Sequence, residues 1–397
     1  MRLILKAITI LAVTAGLYVA ADIAVGYLFT PLITQAARDP ANVPAYRGQS
    51  YMSPDFLREV AREPGEWRQI YGTDLVTPPA YHGRYFNVDE LAPTGNLYRR
   101  TVNAPGNVPG NAPATNKPQV TVLLLGGSTV YGPEVPDNLT LASLLAARLD
   151  SLDPAHRYVV YNAGVFAADS LQERDRLVYE FDRGLKPDIV ISFGGGMDIV
   201  DGIYQAEPGQ PAAFLRSRTG LRGFLHRILP LNIYHLLLAH ASAEAETSHE
   251  KRAPAHLSKP ARVATLTAAT AKAWYDNQLA MAELSKAKGA RFISVLQPSP
   301  YSSAFDHPTA DIPYVRELTE SEWPGLGGVA GDAQAALARE SAALRQKGVE
   351  AIDLSDGFRG KTEDVFIDIG HLNATGHGIL ASEIAEALLH PASAASP

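Results

Sequence analysis

Between residues 118 and 390, strand-like apolar runs alternate with helical segments, and this alternation restricts the fold more than any other feature. Crossovers between parallel strands are nearly always right-handed, so such a chain is expected to form a parallel sheet with helices on both faces. We predict a flavodoxin-like three-layer α/β/α sandwich with a five-stranded parallel sheet. The predicted strands are Val120–Leu125, Tyr158–Tyr161, Asp188–Phe193, Arg291–Gln297 and Ala351–Leu354, and the predicted helices are Leu139–Leu149, Ser170–Phe181, Ala264–Lys288, Gly331–Gln346 and Gly376–Leu389.

The chain has 397 residues, which exceeds what one such domain needs, so further segments are expected around it. We assign residues 1–30 to an anchor or signal segment and residues 31–117 to an irregular extension with a linker. Residues 118–390 form the predicted α/β domain, and residues 391–397 form a disordered tail.

Composition excludes several classes of function. The net charge is −7 and the basic residues are scattered, which disfavours nucleic acid as a partner. The absence of cysteine rules out disulfides, thiolate catalysis and cysteine-ligated metal. Neither a Gly-x-Gly-x-x-Gly nor a P-loop pattern is present, and His226, His235 and His240 lack carboxylates at ligand spacing. We therefore predict neither a cofactor nor a metal.

Ser128 stands where the run Val120–Leu125 stops at Gly126-Gly127 and gives way to a helical pattern. Two glycines and a serine after a strand are also an ordinary turn. A serine in this position can be a nucleophile if a base removes its proton.

Asp368 precedes His371 by three residues, just before the last predicted helix. This spacing lets one short loop present both side chains. Histidine has a suitable pKa to deprotonate a serine, and a carboxylate on its other ring nitrogen fixes the tautomer. Ser128, His371 and Asp368 therefore supply the three roles of a catalytic triad.

Two more segments follow predicted strands at the edge where α/β enzymes build their sites: Tyr161-Asn162-Ala163-Gly164 and Gly194-Gly195-Gly196-Met197-Asp198. With these four segments in this order, the chain resembles the SGNH/GDSL hydrolase family over roughly residues 119 to 390. The blocks of that family are a nucleophilic Ser, an oxyanion-hole Gly, an Asn within Gly-x-Asn-Asp, and a terminal Asp-x-x-His.

The resemblance implies that Ser128 is the nucleophile, His371 the base, Asp368 its orienting partner and Gly164 a backbone donor to the oxyanion. The family pattern places the oxyanion and substrate contacts around Gly127, Asn162, Gly164, Met197 and Asp198. The implied activity is a serine esterase that cleaves or transfers an acyl group, most simply acetyl, on a carbohydrate.

Met197 departs from the pattern, because it stands where the family carries the oxyanion-hole Asn. Methionine cannot donate a hydrogen bond. Three interpretations follow: the site is weakened, another side chain such as Asn162 or Gln172 supplies the donor, or the domain has lost catalysis and binds a glycan or a partner in envelope polysaccharide assembly. The intact Ser, His and Asp favour an active enzyme.

The N-terminus carries Arg2 and Lys6 ahead of an apolar stretch from Ala7 to Phe29 that is broken by Asp22. About 20 apolar residues span a bilayer, and the basic flank would stay in the cytoplasm. Alternatively, Val19-Ala20-Ala21 is a signal-peptide cleavage site, and a buried core helix is a third interpretation. We predict a single-pass inner-membrane anchor with the domain in the periplasm. Cleavage would export the same domain.

Two stretches outside the alternating pattern remain. The aromatic residues of the extension are expected to cover core surface rather than stack on sugars, and Asn103–Asn116 reads as a linker. Residues 201–261 form a long insertion that contains the apolar run Phe224–Leu238, bent at Pro230. That run is either a lid over an acyl pocket or an ordinary helical segment packed on the domain.

Overall fold

A computed structural model describes one compact unit formed by residues 43–216 and 252–397; residues 1–42 and 217–251 make up a second unit. The residues described are 43–60, 68–69, 76–78, 80–102, 117–206, 208, 252–302 and 309–390, together with Thr14 and Leu17.

Four predictions fall outside the described residues: the apolar segment at the N-terminus, the linker 103–116, the apolar run 224–238 and the tail 391–397. Among the helices that the structure does describe, none is long and apolar enough to cross a membrane.

Five parallel strands form the centre of the sheet, in the order β10-β9-β8-β6-β7. Counted across the sheet from the β7 side, the strands are the second, first, third, fourth and fifth of the set in chain order. This is the flavodoxin-like order. The five strands are β6 (Gln119–Gly126), β7 (Arg157–Asn162), β8 (Ile189–Gly194), β9 (Arg291–Leu296) and β10 (Glu350–Asp353).

The prediction of a five-stranded sheet was wrong, because the sheet has eight strands. Three short strands from the extension continue it beyond β7 as antiparallel neighbours, and Arg99 of the last one pairs with Asn162. These strands have two to five residues each, too few to show a period, and the longest carries Asp89 and Glu90. They are β3 (Tyr81–His82), β4 (Asn87–Leu91) and β5 (Asn96–Arg99), while β1 (Arg68–Gln69) and β2 (Val76–Thr77) form a separate pair.

Helices cover both faces of the sheet. The first described α-helix of the extension is α1 (Pro54–Val60). The remaining α-helices are α2 (Ser128–Tyr131), α3 (Leu141–Leu152), α4 (Ser170–Asp182), α5 (Gly196–Ile199), α6 (Pro260–Ala287), α7 (Asp311–Glu322), α8 (Gly327–Gln346) and α9 (Ala374–Leu389). The sequence predicts no helix at α7, which has a proline in its first turn.

Strand β6 shows how the sheet divides the core. Val122 and Leu124 point into a cluster with helices α3 and α9, whereas Leu123 and Leu125 point into a cluster with α4 and α6. All four side chains are fully buried, which explains why the strand reads as a continuous apolar run rather than an alternating one. Because the five central strands are parallel and the helices cover only the faces of the sheet, the carboxyl ends of the strands lie together at one open edge.

The extension is fastened to the α/β domain by buried contacts. Phe86 packs edge-on against Tyr131, with 5.5 Å between the ring centroids, and the guanidinium of Arg99 lies over the Phe86 ring. Arg99 is buried and forms an ion pair with Asp137, just beyond α2. As expected, Phe86 thus covers core surface.

Candidate active site

Ser128 is the first residue of α2, directly after the end of β6. The chain turns there through Gly126 and Gly127. A Cβ on Gly126 would lie 2.5 Å from the Phe193 carbonyl oxygen, so only glycine fits at the end of the strand. Ser128 is half-buried, and its hydroxyl makes no hydrogen bond to any residue that the structure describes. The turn therefore holds the serine at the sheet edge without engaging its oxygen.

Asp368 and His371 lie in one tight loop. The loop is closed by the amide of Ile367, which donates to the His371 carbonyl, and by the bridge between Phe366 and Leu372. Nδ1 of His371 lies 2.7 Å from Oδ2 of Asp368, while Oδ1 of the same carboxylate accepts the amides of residues 370 and 371 at 2.9 Å. Such a carboxylate fixes both the ring orientation and the tautomer of a histidine base.

A hydrogen bond joins the serine helix to the histidine loop. Oγ1 of Thr129, the residue after Ser128, donates to the carbonyl of Gly370 at 2.7 Å. The ring of Phe166 packs near the His371 imidazole, with 6.1 Å between the centroids. The structure thus brings the predicted nucleophile and the predicted Asp–His pair to the same edge of the sheet.

Glu134 adds a second carboxylate beside His371. Its Oε1 lies 3.6 Å from Nδ1, and its side chain is largely buried. Oxygen and nitrogen atoms of Glu134, Asp368 and His371 lie within 4.8 Å of one another, so these three residues could hold a metal ion. The 2.7 Å contact between Asp368 and His371 is also the geometry of an orienting hydrogen bond.

Ser128 opens onto a cleft in which the space free of protein atoms, together with the adjoining open solvent, is about 600 Å³. The cleft is bordered by residues that follow the carboxyl ends of β6, β8 and β9 and by part of the histidine loop. Its walls are mostly apolar or small. They include Gly127, Ala168, Gly194, Gly195, Gly196, Met197, Ile199, Val200, Gln297, Ala330, Ile369 and Gly370.

Met197 lies in this cleft, as its position in the third block predicts. Its Cγ is 4.0 Å from the place that a Cβ on Gly127 would occupy, so the thioether stands beside the nucleophile turn. Asp198, in contrast, is buried behind the cleft, where its carboxylate accepts the amide of Ser170 at 3.2 Å and the Ser170 hydroxyl. Burial raises the pKa of Asp198 to about 6. The Asp198 carboxylate therefore holds the start of α4 behind the cleft and is not placed to contact substrate.

The structure places Gly164 and Asn162 away from the cleft, which conflicts with their predicted oxyanion and substrate roles. The Gly164 amide donates to Oδ1 of Asn162 at 3.1 Å, and Nδ2 of Asn162 donates to the Val130 carbonyl at 2.8 Å. A Cβ on Gly164 would collide with the Tyr131 amide nitrogen. Both residues hold the backbone of α2 from beneath, and Gly164 has no free N–H for an oxyanion.

Gln172 is also engaged elsewhere. It forms a capping box with Asp169 at the start of α4, in which its Oε1 accepts the Asp169 amide at 3.1 Å. Of the two substitute donors considered from the sequence, neither lies in the cleft.

Two residues of the cleft, Ala168 and Gln297, are not among the site residues predicted from the sequence. Ala168 lies in the loop before α4, after Ala167 with its left-handed φ of 57°, and its carbonyl approaches Gly127. Gln297 follows β9 and faces Gly196. A polar residue at the carboxyl end of a predicted parallel strand is a signal that could have singled out Gln297.

A buried carboxyl group lies against Gly194, the last residue of β8. Glu173 accepts a hydrogen bond from the Ser192 hydroxyl, which in turn accepts one from Nε2 of Gln278 at 2.9 Å. A Cβ on Gly194 would collide with Oε1 of Glu173. Burial raises the pKa of Glu173 to about 8, so this group is mostly protonated at neutral pH.

Comparison with known proteins gives structural likenesses at low identity. No family model matches the sequence. No curated protein matches it either. Among solved structures, a GDSL-like lipase from Bacteroides thetaiotaomicron is 13% identical over 68% of this chain and 88% of its own, with a TM-score of 0.36.

Two further structures are similar to the same extent. A member of the lipolytic G-D-S-L family from Veillonella parvula is 12% identical, covers 69% of this chain and 99% of its own, and has a TM-score of 0.38. A psychrotrophic esterase from Pseudoalteromonas sp. is 12% identical, covers 68% and 96%, and has a TM-score of 0.36. Likenesses at this level transfer no residue roles.

The chain itself carries the stronger indications. Its strand order is flavodoxin-like, a serine follows the first strand of the parallel set, and an Asp-x-x-His loop precedes the last helix. In the order of these elements and sequence blocks, the chain resembles the SGNH/GDSL hydrolases.

Proposed function

We propose that this chain is an exported serine esterase of the SGNH type, which cleaves or transfers an acyl group carried as an ester on a carbohydrate. One observation carries the proposal. Ser128 lies in the cleft, and its hydroxyl makes no hydrogen bond to a described residue. The histidine loop, which accepts a hydrogen bond from Thr129 of the serine helix, holds Nδ1 of His371 at 2.7 Å from Oδ2 of Asp368.

In the first half-reaction, Nε2 of His371 takes the Ser128 hydroxyl proton as Oγ attacks the ester carbonyl carbon. The tetrahedral intermediate carries its negative charge on the former carbonyl oxygen. When the carbon–oxygen bond to the alcohol breaks, the imidazolium gives its proton to the leaving alkoxide. Ser128 is left as an acyl ester, and Asp368 stabilises the imidazolium throughout.

In the second half-reaction, His371 deprotonates the acceptor, which attacks the acyl carbon. The bond to Ser128 Oγ then breaks, and Oγ regains a proton from the imidazolium. If water is the acceptor the product is a free acid, and if a sugar hydroxyl is the acceptor the product is a new ester. The same residues therefore serve an esterase or an O-acyltransferase.

The lining of the cleft supports an uncharged acyl group. Gly127, Ala168 and Gly195 leave little side-chain bulk around Ser128, while Met197 and Ile369 present apolar surface. An apolar wall favours the methyl of an acetyl group, and the described residues that line the cleft include no Lys, Arg or His to bind a charged acyl chain.

A carbohydrate substrate is supported by the N-terminal sequence. Arg2 and Lys6 precede the apolar stretch Ala7–Phe29, which would hold the chain in the inner membrane and place the cleft in the periplasm. Acylated polysaccharides of the envelope would then lie on the same side of the membrane as the cleft.

A second function has one observation in its favour. Met197 lines the cleft in place of the family's Asn and donates no hydrogen bond. A domain that had lost its oxyanion hole could still bind an acylated glycan or a partner in polysaccharide assembly.

The experiment that separates these functions measures acetate release. Full-length protein in detergent is incubated with acetylated xylan and with 4-nitrophenyl acetate, beside the Ser128→Ala variant. The esterase proposal predicts release that disappears in the variant. Glycan binding by both proteins, with equal and negligible acetate release, would contradict it and support the binding function.

A further inference from the structure

Gln297 lines the same cleft as Ser128. Gln297 directly follows β9. The neighbouring strand β8 ends at Gly194, which lies opposite Leu296 of β9 in the register. Strand β8 in turn pairs with β6, where Phe193 lies opposite Gly126. Ser128, Gly196 and Gln297 therefore lie just beyond the ends of three adjacent parallel strands.

The amide nitrogen of Gln297 is turned towards the third block. A Cβ on Gly196 would collide with Nε2 of Gln297, whereas it would lie 3.1 Å from Cδ and 3.5 Å from Oε1. Gly196 immediately precedes Met197, the residue that stands in place of the missing amide. Because residue 196 is glycine, the Gln297 amide has room beside Met197.

The backbone of Gln297 is fixed while its amide group is not. Its N–H donates to the Gly194 carbonyl at 3.0 Å, and its carbonyl accepts Nε2 of Gln334 at 2.8 Å. The side-chain amide makes no hydrogen bond to any described residue, although Gln297 is only 8% exposed. Its amide atoms are not among the buried side-chain atoms that lack a partner, so they are accessible from the cleft and can donate to a bound ligand.

Two other polar side chains in the cleft, Thr129 and Gln334, have committed their donors, whereas Ser299 has engaged only its oxygen. Thr129 donates to the Gly370 carbonyl, and Nε2 of Gln334 is shared between the Gln297 carbonyl and the Ser355 hydroxyl. The Ser299 hydroxyl accepts the Tyr301 amide at 3.2 Å. Among the described cleft residues, Gln297 is left as the side-chain amide that can donate to substrate.

We propose that Nε2 of Gln297 donates to the oxyanion of the tetrahedral intermediate and so replaces the amide that Met197 lacks. The Ser128 N–H, at the first position of α2, supplies a backbone donor on the other side. This inference rests on the proposed function, because an oxyanion forms only if Ser128 attacks an ester. It makes Gln297 a catalytic residue whose effect falls on the transition state.

The test compares four full-length proteins: the unsubstituted chain, Gln297→Met, Met197→Asn with Gln297→Met, and Gln346→Met. Gln346 is an exposed glutamine at the end of α8, which matches the chemical change away from the cleft. The readouts are kcat and KM for 4-nitrophenyl acetate, the rate of fluorophosphonate labelling, and the unfolding temperature. Methionine resembles glutamine in size, so the fold should be kept.

Removing one oxyanion donor typically lowers kcat about 10²–10³-fold. We expect that loss in Gln297→Met, with KM little changed and slower labelling, while Gln346→Met behaves as the unsubstituted protein. Partial recovery in the double variant would strengthen the inference. A Gln297→Met protein that folds and retains kcat within threefold would overturn the role of Gln297 and leave the esterase intact. If the unsubstituted chain shows no Ser128-dependent turnover, the proposed function itself fails, and this inference fails with it.

If Gln297→Met does not fold, Gln297→Glu replaces it, because glutamate keeps the shape and puts a negative charge towards the oxyanion. A loss of at least 10²-fold in kcat is expected there. Unchanged kcat in Gln297→Glu would overturn the inference.

Discussion

Nδ1 of His371 lies 2.7 Å from Oδ2 of Asp368 but 3.6 Å from Oε1 of Glu134. The first distance is that of a hydrogen bond and the second is not. Asp368 also accepts two amides of its own loop, so its carboxylate is held in place. Of the two carboxylates beside the imidazole, Asp368 is therefore the orienting partner.

We predict that Asp368→Asn lowers kcat by about 10⁴-fold, because an amide at this place stabilises the wrong tautomer of the histidine. Glu134→Gln, the matched change at the more distant carboxylate, should alter kcat less than tenfold. Steady-state hydrolysis of 4-nitrophenyl acetate measures both. Equal losses in the two variants would show that Glu134 shares the orienting role.

Thr129→Val tests the link between the serine helix and the histidine loop. The substitution keeps the shape of a buried side chain and deletes the 2.7 Å hydrogen bond to Gly370. One such bond is worth about 0.5–1.5 kcal/mol, so kcat should fall by about two- to tenfold. Substrate titration and thermal unfolding are measured together. A protein that loses stability but keeps kcat would show that the bond serves the fold alone.

Gly164→Ala tests whether residue 164 supports α2 from beneath. The new methyl would collide with the Tyr131 amide nitrogen, and overpacking of this kind costs about 1–3 kcal/mol. Gly378→Ala is the control, because a Cβ there meets nothing within 4 Å. Urea unfolding should show a loss in the first variant and none in the second. Unaltered stability of Gly164→Ala would contradict the described packing.

The buried carboxyl of Glu173 makes stability depend on pH. Its pKa is about 8 in the folded chain against an ordinary value of 4.5, because burial disfavours the charged form. Between these values the folded state holds a proton that the unfolded state releases. The stabilisation is complete below about pH 4.5 and is lost as pH rises towards 8, with a slope of up to about 1.4 kcal/mol per pH unit.

Glu173→Gln should remove this component, since a glutamine keeps the shape and does not titrate. Chemical unfolding of both proteins at intervals from pH 4.5 to 8.5 measures the difference. We expect the advantage of the unsubstituted chain over the variant to shrink steadily as pH rises. Parallel stability curves would mean that Glu173 does not keep its proton in the folded state.

Local patterns made part of the site predictable. The Ser128 turn follows from an apolar strand that ends in two glycines, and the Asp368–His371 pair follows from a spacing of three residues within one loop. Four of the five parallel strands were predictable because they are mostly buried on both faces and therefore read as apolar runs, whereas β10, at the edge of the sheet, contains no buried residue.

Features that depend on distant contacts were not predictable. Gly164 follows a strand as the oxyanion glycine of the family does, but its amide is taken by Asn162, a bond that no sequence pattern records. Strands β3 to β5 are short and polar, and their pairing with one another and, through Arg99, with Asn162 of β7 leaves no periodic pattern in the sequence. For Gln297, the sequence offers one indication of a place in the site: the residue stands at the end of a predicted parallel strand.

The most direct test of the account is covalent labelling of Ser128. Full-length protein in detergent is treated with a fluorophosphonate, digested, and analysed by mass spectrometry for the adduct. The account predicts phosphonylation at Ser128, abolished by Ser128→Ala and slowed by His371→Ala, together with hydrolysis of 4-nitrophenyl acetate that depends on the same serine. An unlabelled Ser128 in a folded protein, with equal hydrolysis by the unsubstituted chain and Ser128→Ala, would contradict it.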